Sequence, residues 1–260
     1  MKQTAHIKNL HLGSDFEKAF IKIFDKICYS RQKWQVWTDF ICAAAISIVN
    51  TVDICGVTHD EREKEFARCI QRLGGIEHVR ELFQIVVSAL DADQEQDFLG
   101  KLFMLLELGN HWRGQFFTPY DVCRMMAEVS LNGGEGDIKT EAVDKCFISI
   151  LDPACGAGAT LIAAANQLRR QGINYQSRAF FVGQDIDRVA GMMCFIQLSL
   201  LGCAGYVVIA DTLSNPITGH GVLFPCPKPD QEIFYMPMIA SELWAQRRII
   251  RAIFMRIGEK

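Results

Sequence analysis

Three short apolar runs, rich in β-branched and aromatic residues, alternate with helical segments in the second half of the chain. These runs are residues 147–151, 179–182 and 206–209. Alternating strands and helices are typical of parallel βαβ units, whose ligands bind outside the carboxyl ends of the strands. The runs lead directly into Asp152, Asp185 and Asp211. We therefore predict an α/β fold with three carboxylates at the ligand-binding edge of its sheet.

The first half of the chain predicts helices only. Capping-box patterns begin at Ser14 and at Thr58, and the helix after Thr58 is expected to stop at Gly74-Gly75. Apolar periodicity predicts further helices over 33–50, 76–90 and 97–108. We expect a helical N-terminal domain over 1–110 and an α/β domain over 111–260.

A glycine-rich segment, Asp-Pro-Ala-Cys-Gly-Ala-Gly from Asp152 to Gly158, follows the first predicted strand and opens a helix. Glycines allow a sharp turn and close backbone approach to a ligand, although many such turns serve packing alone. A dinucleotide site would need a third glycine where Leu161 stands, and an acid earlier than Asp185. The segment instead suits S-adenosylmethionine, which has no pyrophosphate.

The acids after the next two strands each have two interpretations. Asp185 is our choice to accept both ribose hydroxyls of an adenosine, although Asp187 could do so or could cap the following helix. Asp211 suits a hydrogen bond from an adenine amino group, and it suits an ordinary turn or N-cap equally well.

Upstream stands Gly-Gln-Phe-Phe-Thr-Pro, from Gly114 to Pro119. Thr118 before Pro119 predicts a helix start, with the threonine as N-cap and the proline as first helical residue. Gln-Phe-Phe at a helix N-terminus also suits a clamp over a zwitterionic, partly aromatic ligand.

These segments, followed by Gly-Gln-Asp-Ile-Asp from Gly183 and Asp-Thr-Leu from Asp211, resemble the adenine-N6 DNA methyltransferases in order and spacing. They most resemble the modification subunits of type I restriction systems, over residues 96–214 and more loosely over the helical part. The resemblance implies a Rossmann-like methyltransferase sheet preceded by an all-helical domain. It also implies S-adenosylmethionine as the cofactor and transfer of its methyl group to adenine in DNA.

In that family, Phe-Thr-Pro contacts the methionine end of the cofactor, and the glycine turn approaches the same region, here with Ala157, Gly158 and Ala159. The acid after the second strand takes the ribose, and the acid of Asp-Thr-Leu takes the adenine ring. The residues expected to bind S-adenosylmethionine are therefore Gln115, Phe116, Phe117, Thr118, Pro119, Asp152, Ala154, Gly156, Ala157, Gly158, Asp185, Ile186 and Asp211.

The family's Asn/Asp/Ser-Pro-Pro-Tyr/Phe tetrapeptide, which holds the flipped target base, has no equivalent here. Asn215-Pro216 has one proline and no aromatic neighbour, and it follows Asp211 too closely for a strand to intervene. Asn215 and Pro216 are nevertheless the candidate catalytic residues. The prolines at 225, 227 and 229 predict an irregular loop, and Tyr235 precedes a proline in the wrong order.

Three hypotheses follow. The first is an active adenine-N6 DNA methyltransferase in which Asn215-Pro216 or a partner chain accepts hydrogen bonds from the target amine. The second is a cofactor-binding, catalytically silent subunit that recruits a partner. The third is a non-DNA methyltransferase, which has only the common fold in its favour.

The net charge of −3 gives no general attraction to nucleic acid, so DNA is expected as a partner mainly together with another subunit. The final helix, predicted over 241–257, has a basic side that suits solvent or phosphate.

Ten single cysteines without metal spacing predict no metal site, and with the lack of a signal peptide they indicate the cytoplasm. The longest apolar stretch is too short to span a membrane. The sequence is compatible both with a homo-oligomer and with a hetero-oligomer.

Overall fold

The computed structural model describes residues 14–52, 57–108, 117–132, 146–219 and 221–258. Three parallel strands run through its C-terminal half, as predicted: β1 (Ile148–Asp152), β2 (Ala179–Asp185) and β3 (Ala204–Ile209). β2 lies between the other two, and its last residue pairs with the last residue of β3. The carboxyl ends of the strands therefore share one edge.

The sheet is mixed rather than wholly parallel, because a fourth strand joins it in the opposite direction. β4 (Thr218–Gly219) and β5 (Pro225–Cys226) form a small antiparallel hairpin after β3. β6 (Glu232–Tyr235) then pairs antiparallel with β3. A return without a crossover helix gives this direction. The predicted irregular loop over 225–229 thus contains a strand, and β6 was not predicted.

Helices cover both faces of the sheet. The helices of this half are α6 (Tyr120–Asn132), α7 (Ala159–Arg170), α8 (Tyr175–Arg178), α9 (Arg188–Leu200) and α10 (Glu242–Gly258). α9 packs on β2 and β3 on one side and on the N-terminal helices on the other.

Trp244 of α10 closes the opposite face of the sheet. It is fully buried, and its ring lies 5.3 Å from those of Phe147 and Phe180 between centroids. Its Nε1–H donates to the main-chain oxygen of Gln176 at 2.8 Å. The predicted final helix is therefore confirmed as a closing helix of the core.

The N-terminal half is helical, as predicted. Its α-helices are α1 (Asp15–Ile27), α2 (Lys33–Val49), α3 (Val57–Leu73), α4 (Ile76–Ala92) and α5 (Phe98–Leu105). A 3-10 turn over Cys28–Ser30 follows α1, and another over Pro237–Ala240 precedes α10. One hydrophobic core runs from α1 through α2 to α9 and β6. The predicted boundary after residue 110 lies outside the described residues and stays a prediction.

Two predicted helix ends of the N-terminal half are confirmed and one is wrong. The capping box of Ser14 and Glu17 is confirmed, with both reciprocal hydrogen bonds present. Gly74, in the left-handed region at φ +85°, ends α3 as predicted. The second capping box is wrong, because α3 already includes Val57 and so places Thr58 inside its first turn.

Within the described ranges, no helix combines the length and apolar character needed to cross a bilayer.

Candidate functional site

A hollow of about 200 Å³ lies at the carboxyl ends of β1 and β2, between the sheet and the starts of α5, α6 and α7. We call it the strand-end hollow. The predicted residues that line it are Phe117, Thr118, Asp152, Ala154, Gly156, Ala157 and Asp185. The fold therefore gathers three motifs that are separated by up to 68 positions in the sequence, from 117 to 185.

Asp152 ends β1 and fixes the start of the glycine-rich segment. Its Oδ1 accepts a hydrogen bond from the N–H of Ala154 at 3.0 Å. Its Oδ2 accepts one from the hydroxyl of Thr160 in the first turn of α7. Thr160 also lines the strand-end hollow, although the sequence did not single it out.

The glycine turn, residues 156–158, needs glycine at both ends. Gly156 has φ +53° and Gly158 has φ +97°, where side chains are rarely tolerated. A Cβ at Gly156 would lie 3.1 Å from the Phe117 ring, and one at Gly158 would lie 2.9 Å from Cys194 Sγ. Gly158 is the N-cap of α7 and supplies no side-chain acceptor to the first N–H groups of the helix.

Asp185 ends β2 and anchors this turn. Its Oδ2 accepts from the N–H of Gly156 and its Oδ1 from the N–H of Asp187, both at 2.8 Å. Burial raises the pKa of Asp185 above its usual value, and the two backbone hydrogen bonds offset this only in part. Asp187 caps α9 through the N–H of Ala190 at 2.9 Å, which is the role that the alternative interpretation gave it.

Thr118 and Pro119 precede α6, but the helix begins one residue later than predicted. The N–H groups of Val122 and Cys123 donate to the main-chain oxygen of Pro119, which therefore occupies the N-cap position. Thr118 lies before the cap and lines the hollow. Gln115 and Phe116, from the same motif, lie outside the described residues.

Asp211 does not line the strand-end hollow. It lies partly exposed two residues beyond β3, where its carboxylate accepts from the N–H of Leu213 and the hydroxyl of Ser214, each at 2.9 Å. The bond from Leu213 holds the pKa of Asp211 below its usual value. This is the turn geometry of the alternative interpretation, and an adenine contact stays a prediction. Ile186 is 71% exposed and does not line the hollow either.

Asn215 and Pro216, the candidate catalytic residues, are also absent from the lining of the hollow. The side-chain oxygen of Asn215 accepts from Gln231 Nε2 at 3.2 Å, and its main-chain oxygen accepts from Gln184 and Gln231. The main-chain oxygen of Pro216 accepts from Lys228 at 3.3 Å. The structure thus uses this segment to attach the loop after β3 to β2.

Comparison with known proteins bears on the identity of the chain. A family model described as N-6 DNA Methylase matches residues 101–233, which is about half of the chain. The chain belongs to the N-6 DNA methylase family. The match begins within α5, includes the residues that line the strand-end hollow except Asp97, and ends within β6.

Two curated relatives are methylase subunits of type I restriction enzymes from Methanocaldococcus jannaschii. The MjaIX subunit is 30% identical over 116 residues, which cover 44% of this chain and 18% of the relative. The MjaVII subunit is 26% identical over 111 residues, which cover 42% and 17%. The predicted resemblance to type I methylase subunits is confirmed. The match spans less than a fifth of either relative.

A larger cleft of about 1030 Å³ lies beside β6, lined by residues from α3 and from the chain around β6. The side chain of Arg188 bridges Glu65 and Glu232 there, with its shortest bonds at 2.9 and 2.6 Å. These bonds keep the pKa of Arg188 above its usual value, the one from Glu232 contributing most. No predicted cofactor residue lines this cleft, so we interpret the ion pairs as a clamp between the two halves.

Asp97 of the N-terminal half and Cys123 of α6 also line the strand-end hollow, and, like Thr160, they were not singled out in the sequence analysis. The only local signal at Asp97 was that of a helix start, which the structure confirms. Within the described ranges, no cluster of three or more His, Cys, Asp or Glu side chains is arranged for a metal ion.

Proposed function

We propose that the strand-end hollow binds S-adenosylmethionine, the cofactor that the N-6 DNA methylase family generally uses. The observation that carries the proposal is the convergence of Thr118, Asp152, Asp185 and two residues of the glycine turn, Gly156 and Ala157, on one cavity. These groups come from different elements, and Asp152 and Asp185 also fix the shape of the glycine-rich segment. Their chemistry fits the ligand, since carboxylates accept hydrogen bonds from hydroxyl and ammonium groups.

The sheet supports a Rossmann-like assignment. Three parallel strands are joined by α7 and α9, and the cavity lies outside their carboxyl ends, where ligands of such sheets bind. In this proposal residues 111–260 form the cofactor-binding domain and residues 1–110 form a helical domain packed against it.

Within this site, Asp185 is assigned to the ribose hydroxyls. Each of its oxygens already accepts one backbone hydrogen bond and retains a further lone pair. Phe117 and Thr118, with Gln115, Phe116 and Pro119 of the same motif, are assigned to the methionine end. Asp152, Ala154 and the glycine turn complete the site.

Transfer of the cofactor's methyl group to adenine N6 in DNA is the activity that the family match favours. We propose that the chain takes part in this reaction together with DNA and a further subunit, as the names of its relatives suggest. The methyl group is supplied by the cofactor. The contribution of this chain is to hold and orient it.

A catalytically silent, cofactor-binding role is the second candidate, and one observation favours it. The side-chain oxygen of Asn215 is occupied by Gln231, and Asn215 does not line the hollow. The segment is therefore not placed to accept hydrogen bonds from an adenine amine.

The test combines titration with S-adenosylmethionine and transfer of labelled methyl to adenine-containing duplex DNA. Binding followed by transfer that Asn215→Ala abolishes supports the first candidate, whereas binding without transfer supports the second. The absence of any binding to the purified chain would reject both.

A further inference from the structure

Asp97 is a buried carboxylate that the helical half contributes to the strand-end hollow. It is the N-cap of α5, and 8% of it is exposed. It lines the hollow together with Asp152 and Asp185. A buried carboxylate is costly unless a cation or hydrogen bonds compensate for the lost water, so its partners need to be accounted for.

Only one of the two Asp97 oxygens has hydrogen-bond partners in the described part of the chain. Oδ1 accepts from the N–H of Gly100 at 2.8 Å and from Gln197 Nε2 at 2.7 Å, whereas Oδ2 accepts none. Both oxygens of Asp152 and of Asp185 are engaged. Burial therefore raises the pKa of Asp97, and its two hydrogen bonds offset this only in part.

The position of the carboxylate is fixed from two sides. Gln197, itself fully buried, donates to Asp97 and to the main-chain oxygen of Ala157, and its own oxygen accepts from the N–H of Leu99. Gly100 leaves room for Oδ2, because a Cβ at this position would collide with that atom. Asp97 is thus held at the glycine turn with a free acceptor.

Asp97 and Cys123 of α6 both line the hollow. Burial raises the pKa of Cys123 in α6 to about 11, and the charges of Asp97 and Asp152 add to this effect. Asp185, the acid assigned to the ribose, accepts its hydrogen bond from Gly156 of the glycine turn. No lysine, arginine or histidine is among the described residues that line the hollow, so no protein cation there neutralises these carboxylates.

We propose that Asp97 accepts a hydrogen bond from the α-ammonium group of the bound ligand. The strand-end hollow is then selective for adenosyl amino acids over adenosyl ligands that lack the ammonium. This inference rests on the proposed function, which places the methionine end beside Thr118 at the start of α6.

Isothermal titration of the full chain with three ligands tests the inference. S-adenosylmethionine and S-adenosylhomocysteine carry the ammonium group, and methylthioadenosine lacks the amino acid. For Asp97→Asn we expect affinity for the first two to fall about 10- to 100-fold, because a charge-assisted hydrogen bond is lost. Affinity for methylthioadenosine should change less than about threefold.

Matched variants separate ligand recognition from structure. Asp97→Ser keeps an N-cap acceptor for Gly100 and should show the same ligand selectivity as Asp97→Asn. Asp91→Asn removes an exposed charge from the end of α4 and should leave all three affinities unchanged. An equal loss for all three ligands, or no loss, would overturn the inference.

One measurement needs no variant. The wild-type chain should bind a homocysteine-type ligand without its amino group at least about 10-fold more weakly than S-adenosylhomocysteine. Equal binding of the two would overturn the inference even if the Asp97 variants did not fold. Failure of the proposed function looks different, since the wild-type chain would then bind none of these ligands.

Discussion

The Asp185→Asn substitution tests whether Asp185 binds the ribose hydroxyls of the cofactor, and it changes little else in the site. The side chain keeps its size but exchanges one carboxylate oxygen for an amide NH₂ group. That group would face the N–H of Gly156 or of Asp187, each now 2.8 Å from a carboxylate oxygen, so one anchoring bond is lost. The loss costs about 1–3 kcal/mol. Removing a buried charge offsets part of it, because burial already raises the pKa of Asp185.

The effect on the ligand is expected to be larger than the effect on the fold. A carboxylate that accepts from a ribose hydroxyl contributes roughly 1.5–3 kcal/mol, and each 1.4 kcal/mol is about tenfold in affinity. We therefore expect Asp185→Asn to weaken binding of S-adenosylmethionine about 10- to 150-fold in isothermal titration. The unfolding free energy in urea should fall by about 1 kcal/mol or less.

The neighbouring acid supplies the control. Asp187→Asn removes the same charge two residues away, and asparagine caps a helix as well as aspartate does. Its affinity for S-adenosylmethionine should stay within about threefold of wild type. If Asp187→Asn lost the affinity and Asp185→Asn kept it, the ribose would belong to Asp187, and our reasoning from the strand end would be refuted.

Three further outcomes are expected. Gly158→Ala should cost about 1–3 kcal/mol in urea unfolding, since its φ is +97° and a Cβ would lie 2.9 Å from Cys194 Sγ; no loss would contradict this geometry. Trp244→Ala should cost about 3–5 kcal/mol, and a loss below 1 kcal/mol would mean that α10 does not close the core. Folding raises the pKa of the Asp97 carboxyl above its usual value of 3.8. The carboxyl therefore contributes stability that is fully present below pH 3.8 and is lost as the pH rises through the pKa of the folded state. The unfolding free energy of wild type minus that of Asp97→Asn should therefore decrease from about pH 4 to pH 7, and an increase would contradict the sign.

The sequence predicted those parts of the molecule whose signals are local. The three parallel strands followed from runs of β-branched and aromatic residues, and the helix ends at Ser14 and Gly74 followed from residues within one turn. The convergence of Asp152 and Asp185 was also predictable, because parallel strands end at the same edge of a sheet. In these cases each residue's position follows from its neighbours and from one topological rule.

Other features depend on contacts between distant residues and left no pattern to find. β6 pairs with β3 because the chain turns back through a hairpin, and apolar periodicity over Glu232–Tyr235 does not encode that direction. Asp97 is held at the hollow by a hydrogen bond from Gln197, which lies a hundred positions later in the sequence. Its sequence context predicts only an N-cap, and a short polar side chain at a helix start is satisfied locally in most proteins.

The glycine turn is braced from both halves of the chain, and this bears on how the site works. Asp185 of the sheet holds the N–H of Gly156, while Gln197 ties the main-chain oxygen of Ala157 to Asp97 of the helical half. The turn's shape, and with it the hollow, therefore depends on the packing of α5 against α9. A movement of the helical half would shift Asp97 and the turn together, since Gln197 bonds to both. Through Asp97 at the start of α5, the N-terminal half thus forms part of the wall of the strand-end hollow.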